Sequence, residues 1–245
     1  MASLPDTINN TADAFARKLT GLYGDSLQSV ILYGPAARGE KNNEGYLHFL
    51  VVLDDNTPSE MARCAPEMKG WAKKKIATPL FLTRDYIARS LDTFPLEFMN
   101  MRSTYHVIEG EDVLEGLSFD HADIRSQCER ELKGKLLHLR AEYLIIRGQS
   151  RELMNLVGRS LETFRMVFIG ALTLKGEDVP VDTDMLLGAV AAAFELDDSL
   201  FKKLTGIIRN EIKLDVTEAD KLFDLYVEEL DSLAHAIDDL ETDNG

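Results

Sequence analysis

The sequence predicts an α+β fold with two domains, a small α/β domain over residues 1–118 and an all-helical bundle over residues 119–245. Three observations support this. Helix and strand patterns alternate in the first half, strand patterns almost vanish after Asp120, and long amphipathic helices with short connections fill the rest. A length of 245 residues is sufficient for one large domain or two small ones.

The first half begins with a helix and two strands. Apolar residues at helical spacing predict a helix over residues 5–23, and Gly24 is a suitable stop signal. The β-branched and aromatic stretch at residues 27–33 predicts one strand, and residues 46–53 predict a second. Residues 34–45 form the glycine-containing loop between these strands.

Shorter elements follow before the pattern becomes helical. Residues 58–74 predict a helix, residues 78–82 predict a third strand, and Thr83 is a suitable N-cap for the next helix. From Ala122 onward the pattern predicts five amphipathic helices, and their short connections favour antiparallel neighbours in a bundle. The domain boundary is expected within residues 109–121.

Composition and charge exclude several classes of protein. The chain is 45% hydrophobic and 28% charged, and no apolar stretch approaches the roughly 20 residues that span a membrane. Its net charge of −15 argues against nonspecific binding to nucleic acid. The sequence shows no export signal, so a cytoplasmic location is expected, with Cys64 and Cys128 as buried, reduced thiols.

The loop after the first predicted strand contains residues suited to an anion. Gly34 lets the backbone approach a ligand, Arg38 offers a planar charge that matches phosphate oxygens, and Gly39 lets the chain turn away. These three residues are the candidates for phosphate binding. The alternative is a plain connection in which Arg38 is exposed to solvent. The basic residues 73–75 could attract a nucleotide or an acidic partner, or could be a solvated helix end.

The order helix, strand, YGPAARGE, strand resembles the core of the DNA polymerase beta-like nucleotidyltransferase superfamily. The likeness is strongest to the small bacterial members and the aminoglycoside nucleotidyltransferases, in which a helical domain often follows. That family has a Gly-Ser pair, an ARGE-like segment and then a strand with an Asp-x-Asp pair. Here LYGPAARGE matches the first part, and LHFLVVLDD matches the apolar remainder of the strand. The resemblance implies a nucleotidyltransferase-like N-terminal domain and a triphosphate site that uses divalent metal.

This chain departs from the family at the residues that would hold the metal. The family serine falls on Pro35, which has neither a hydroxyl nor an N–H group. The two family aspartates fall on Tyr46 and His48, on one face of the predicted strand. Mg²⁺ requires oxygen ligands, and the predicted third strand, where a further acid is expected, has none. The resemblance therefore implies no catalytic residue, no metal ligand and no cofactor here.

Three hypotheses about function follow. The first is a nucleotidyltransferase-fold protein that has lost metal-dependent transfer and binds a nucleotide-like ligand or a protein partner. The second is an active enzyme that uses Mg²⁺ through relocated ligands. Its candidates are weak, because Glu44 has no partner and Asp54 and Asp55 would lie about 20 Å from His48. The third is a structural or regulatory interaction module, such as a homodimer formed through the helical half.

Overall fold

The computed structural model describes residues 4–39, 45–209 and 215–240. Its fold is α+β, with one four-stranded mixed sheet followed in the chain by a helical region, as the sequence predicts. In the part of the chain that is described, no helix has both the length and the apolar character needed to cross a membrane.

The chain divides into two compact units. The first comprises Met1–Leu91 and Asn100–Ser118, and the second comprises Asp92–Met99 and Phe119–Gly245. The short segment from Asp92 to Met99 therefore belongs to the helical unit, although it precedes the last part of the first unit in the chain. The backbone amide of Leu96 shows how this segment is held, because it donates a hydrogen bond to Oε1 of the buried Gln127 side chain at 2.8 Å.

The sheet of the first unit has the strand order β3-β2-β1-β4. Its strands are β1 (Leu27–Tyr33), β2 (His48–Leu53), β3 (Leu80–Leu82) and β4 (Tyr105–Gly110). β1 pairs antiparallel with both β2 and β4, whereas β2 pairs parallel with β3. The central strands β1 and β2 are the two that the sequence predicts most plainly, because their apolar residues are buried on both faces of the sheet.

β4 is absent from the sequence-based prediction. It is an edge strand with mostly exposed or half-buried side chains, so it lacks the apolar pattern of a buried strand. Its last residue, Gly110, has a φ of 78° and pairs with Ser29. A Cβ atom on Gly110 would lie 2.1 Å from the carbonyl oxygen of Gln28, so this close approach of two backbones requires glycine.

Helices pack one face of the sheet. α1 (Asp6–Tyr23) buries Phe15, whose ring stacks on Phe49 of β2 at 4.2 Å and meets the edge of Trp71 at 4.8 Å. The predicted helix over residues 58–74 is wrong as a single element. It consists of α2 (Pro58–Met61), a 3₁₀ segment (Ala62–Glu67) and α3 (Met68–Lys73). Pro66 lacks an N–H group, which explains why a continuous α-helix is interrupted.

Two short helices follow β3. α4 (Arg84–Arg89) begins after Thr83, whose side chain accepts a hydrogen bond from the Tyr86 amide at 3.1 Å, so the predicted N-cap is confirmed. α5 (Pro95–Ser103) was not predicted, since its apolar residues do not form a single stripe along the helix.

The helical unit contains the five helices that the sequence predicts after Ala122. They are α6 (His121–Ile146), α7 (Ser150–Leu174), α8 (Thr183–Phe194), α9 (Asp198–Ile208) and α10 (Val216–Asp238). α7 contributes most to the core of this unit, and its Phe164 and Phe168 are buried. Aspartate side chains cap α6, α8, α9 and α10 by accepting backbone N–H groups of the first turn. Cys64 in the first unit and Cys128 in the second are buried free thiols, as predicted.

Candidate functional site

The glycine-containing segment after β1 forms a compact turn. The amides of Ala37 and Arg38 both donate to the carbonyl oxygen of Gly34, at 3.0 and 3.2 Å. The Gly39 amide donates to the Ala36 carbonyl oxygen at 3.3 Å, which closes a second overlapping turn. Gly34 and Gly39 have φ values of 79° and 76°, a left-handed conformation that glycine adopts readily. We call residues 34–39 the glycine turn.

Small apolar side chains anchor the glycine turn to the first unit. Ala36 and Ala37 are buried in the cluster that α1 forms with the sheet. Arg38 is half-buried and Gly39 is exposed, so the outer part of the turn faces solvent. The three sequence candidates for phosphate binding, Gly34, Arg38 and Gly39, therefore lie together in one turn at the end of β1.

His48 lies beside the glycine turn. It is the first residue of β2 and pairs with Tyr33, the last residue of β1. The two rings face the same region, with centroids 6.0 Å apart. A Cβ atom on Gly34 would lie 3.8 Å from Cδ2 of His48, so the imidazole is in van der Waals range of the turn. Burial raises the pKa of the Tyr33 phenol above its ordinary value, so Tyr33 is neutral at physiological pH.

Tyr46 lies outside β2, which corrects the prediction that the strand begins there. The strand begins at His48, and Leu47 forms an isolated parallel bridge with Ile76. Tyr46 is 38% exposed, so its ring does not fill a closed site. Alternation along a regular strand therefore does not fix the orientation of Tyr46 relative to His48.

The described residues around the glycine turn do not fit a magnesium site. Mg²⁺ binds hard oxygen ligands, usually carboxylates, whereas Tyr46 and His48 offer a phenol and an imidazole. β3, on the other side of β2, contains only Leu80, Phe81 and Leu82. Within residues 4–39, 45–209 and 215–240, no group of three or more His, Cys, Asp or Glu side chains is arranged to hold a metal ion.

Two of the three acids considered as relocated ligands, Asp54 and Asp55, lie away from the glycine turn. Asp54 and Asp55 follow Leu53, which pairs with Leu27, the first residue of β1. The glycine turn follows the last residue of β1, so these two acids lie at the opposite end of the strand pair. The Asp55 carboxylate accepts the Thr57 amide at 2.9 Å and its hydroxyl at 3.2 Å, so it holds the turn before α2. Glu44 lies outside the described residues.

Lys75 lies near β2, although its sequence pattern does not distinguish it from Lys73 and Lys74. Lys75 follows α3, is exposed, and has a φ of 56°, a conformation that is uncommon for a residue with a side chain. Its ammonium Nζ lies 3.5 Å from the point where a Cβ atom on Gly45 would sit. Its carbonyl oxygen accepts the Leu47 amide at 2.8 Å. The only sequence signal was the run of three lysines, which does not show which of them approaches β2.

The sheet order, the glycine turn between antiparallel β1 and β2, and the helical region that follows define a nucleotidyltransferase fold. A solved structure agrees. It is that of spectinomycin adenyltransferase AAD(9) from Enterococcus faecialis with ATP and spectinomycin, similar to this chain with a TM-score of 0.57 and 12% sequence identity. The match covers 92% of this chain and 98% of that chain. No family model and no curated protein matches the sequence. At this identity the likeness shows the fold and leaves the activity open.

Proposed function

We propose that this chain is a nucleotidyltransferase-fold protein that has lost metal-dependent nucleotidyl transfer and binds a nucleotide-like ligand at the glycine turn. The observation that carries the proposal is the position of His48. The imidazole lies against Gly34, where the resembled enzymes have a metal-binding aspartate. A single imidazole next to a phenol does not replace the carboxylates that Mg²⁺ needs for transfer.

The retained parts of the site favour binding of phosphate. Gly34 is buried, but Gly39 is exposed and has no side chain to block an approaching ligand, and Arg38 carries a guanidinium suited to phosphate oxygens. The similar adenyltransferase was solved with ATP, which supports a nucleotide as the ligand class for this chain. Because no metal shares the phosphate charge in this proposal, the protein's own cations must balance it. The cytoplasmic location and the lack of nonspecific nucleic-acid binding remain predictions from composition and charge.

Calorimetric titration with ATP tests this proposal. We expect ATP to bind at least as tightly in EDTA as in Mg²⁺, because Mg²⁺ would neutralise phosphate charge that the protein itself recognises. Binding that requires Mg²⁺ would instead support an active enzyme with relocated ligands. No heat of binding in either buffer, confirmed by an unchanged thermal midpoint with ATP, would show that the fold serves as a scaffold.

A second candidate function, self-association, is favoured by the surface of α6. Three of its large aliphatic side chains are 68%, 77% and 79% exposed, which is unusual for a helix of a monomeric protein. We define the α6 stripe as Leu137, Ala141, Leu144 and Ile145. The spacing places these residues along one side of the helix, as in helices that pair with another helix.

The charges beside the α6 stripe favour a second copy of the chain as the occupant. Two α6 helices crossing antiparallel at Ala141 would place Leu137 of one copy near Ile145 of the other. The same arrangement would place Arg140 of one copy near Glu142 of the other. Within one chain, Arg140 pairs with Asp231 and Glu142 pairs with Arg159, and all of these side chains are partly exposed. Opposite charges on both sides of the contact suit the isologous interface of a two-fold dimer.

Leu144→Lys tests the dimer, since it places a charge in the centre of the α6 stripe. We expect the dimer dissociation constant to rise by at least about tenfold, measured by light scattering over a concentration series. Leu225→Lys is the matched control, because Leu225 is also exposed but lies on α10. A wild-type chain that is monomeric at every concentration, or equal effects of the two variants, would contradict this function.

A further inference from the structure

We infer that the Lys75 ammonium supplies, in this chain, the positive charge that a divalent metal supplies elsewhere, and that the ligand is a polyphosphate bound without metal. This inference rests on the proposed function and adds to it the identity of the compensating cation. It makes the start of β2 a phosphate site bounded by Arg38 on one side and Lys75 on the other.

The first support is the way that the backbone holds Lys75. Its amide donates to the Ala72 carbonyl oxygen at 3.0 Å, and its carbonyl oxygen accepts the Leu47 amide at 2.8 Å. The Ala77 amide then donates to the Leu47 carbonyl oxygen at 3.0 Å. These hydrogen bonds join the backbone of Lys75 to the residue before β2. They set the position of Lys75 relative to Leu47.

The second support is the conformation of Lys75. Position 75 follows the C-terminal end of α3, where a left-handed residue is common and glycine is the usual choice. Among the described residues, only Lys75 and Glu195 adopt a positive φ without being glycine. A side chain in this conformation carries a steric cost, so a lysine at this position suggests that its side chain has a use.

The third support is the charge around Lys75. Several lysines of this acidic chain are neutralised by a neighbouring carboxylate, as in the pairs Lys18–Glu67, Lys133–Glu129 and Lys202–Asp198. Among residues 4–39, 45–209 and 215–240, no ion pair joins the Lys75 ammonium to a carboxylate. We propose that its positive charge serves an anionic ligand beside Gly45.

The fourth support is the placement of the two cations around β2. The glycine turn with Arg38 follows β1, which pairs with His48 on one side of β2. Lys75 and Ile76 lie on the other side, where Ile76 bridges to Leu47. Since neighbouring strands are about 4.8 Å apart, the backbones on the two sides of β2 are separated by about 10 Å. A chain of phosphates can span a distance of this order, and we place its two ends near Arg38 and Lys75.

The experiment compares ATP affinity and thermal stability for four variants in EDTA. Lys75→Gly removes the ammonium but suits the left-handed backbone, so a loss of binding cannot come from loss of folding. We expect its affinity for ATP to fall by about tenfold while the thermal midpoint stays the same or rises. Lys75→Arg, which retains the charge, is expected to bind close to wild type. Lys74→Ala removes an equal charge one residue away and is expected to bind like wild type.

Glu195→Gly controls for the relief of left-handed backbone strain. Glu195 has the same left-handed conformation as Lys75 but lies at the end of α8. This variant is expected to keep full ATP affinity. Wild-type affinity in Lys75→Gly would overturn the inference and leave the proposed function intact. An equal loss in Lys74→Ala would also overturn it, because the effect would then belong to the basic run as a whole. A wild-type chain that does not bind ATP in EDTA would overturn both proposals.

Discussion

Replacing Tyr46 and His48 together by aspartate is expected to reverse the metal preference of ATP binding. The variant places carboxylates at the two positions where the resemblance implies aspartates, and carboxylate oxygens are the ligands that Mg²⁺ prefers. We expect ATP to bind at least about tenfold more tightly in Mg²⁺ than in EDTA. For the wild-type chain, we expect binding in EDTA to be at least as tight. Calorimetric titration in the two buffers measures both ratios.

The charge-free control for this variant is Tyr46→Asn/His48→Asn. Asparagine has nearly the shape of aspartate but contributes no negative charge, so it should not create a dependence on Mg²⁺. In EDTA the aspartate variant should also bind ATP more weakly than the asparagine variant, because two carboxylates beside the glycine turn repel phosphate. If the aspartate variant shows no preference for Mg²⁺, loss of the carboxylates is not what removed the metal. Pro35 and the missing third acid would then be the decisive departures.

Gly110→Ala is expected to destabilise the first unit more than other single-methyl additions. The added Cβ would lie 2.1 Å from the Gln28 carbonyl oxygen and 2.9 Å from its carbonyl carbon. Both atoms belong to backbone that Ser29 fixes through its side-chain hydrogen bond to the Glu111 carbonyl oxygen at 2.7 Å. Left-handed strain and the forced separation of the strands together are expected to lower the free energy of unfolding by about 3 kcal/mol.

Denaturant unfolding followed by tryptophan fluorescence measures this change. Trp71 is the single tryptophan of the chain and is buried in the first unit, so its signal reports on the unit that contains Gly110. Gly116→Ala is the matched control, because a Cβ there meets nothing within 4 Å. An equal transition midpoint for the two variants would show that β1 and β4 can separate locally at little cost.

The parts of the fold that the sequence could predict are those with strong periodic patterns. β1 consists mainly of apolar and β-branched residues and is buried, and the helices of the second unit carry wide apolar faces, so local pattern and tertiary environment agree. The periodicity of apolar residues predicts neither the strand β4 nor the interruption of the helix at Pro66. An edge strand with exposed side chains looks like a loop, because pairing through the backbone leaves no trace in its side-chain pattern.

The sequence predicted most of the residues that contribute to the candidate site, but only part of their arrangement in space. The neighbouring position of His48 follows from the antiparallel register, in which the first residue of β2 pairs with the last residue of β1 before the glycine turn. Lys75 could not be separated from Lys73 and Lys74 by sequence, because its approach to β2 depends on the left-handed turn after α3 and on the bridge to Leu47. Both are tertiary features. The exposure of Tyr46 was missed for the same reason, since β2 begins two residues later than its apolar pattern suggests.

The segment from Asp92 to Met99 belongs to the helical unit but lies within the first half of the sequence. A single cut in the gene therefore cannot separate the two units. Leu96 is fully buried in the helical core, and Gln127 binds its amide and the Glu97 carboxylate. A fragment that stops at residue 118 would carry this segment away from the helices that need it. The helical fragment would keep Gly170 and Cys128 but lose the leucine that packs against them. Exchange of the second half alone, cut at residue 118, is therefore expected to destabilise the helical core.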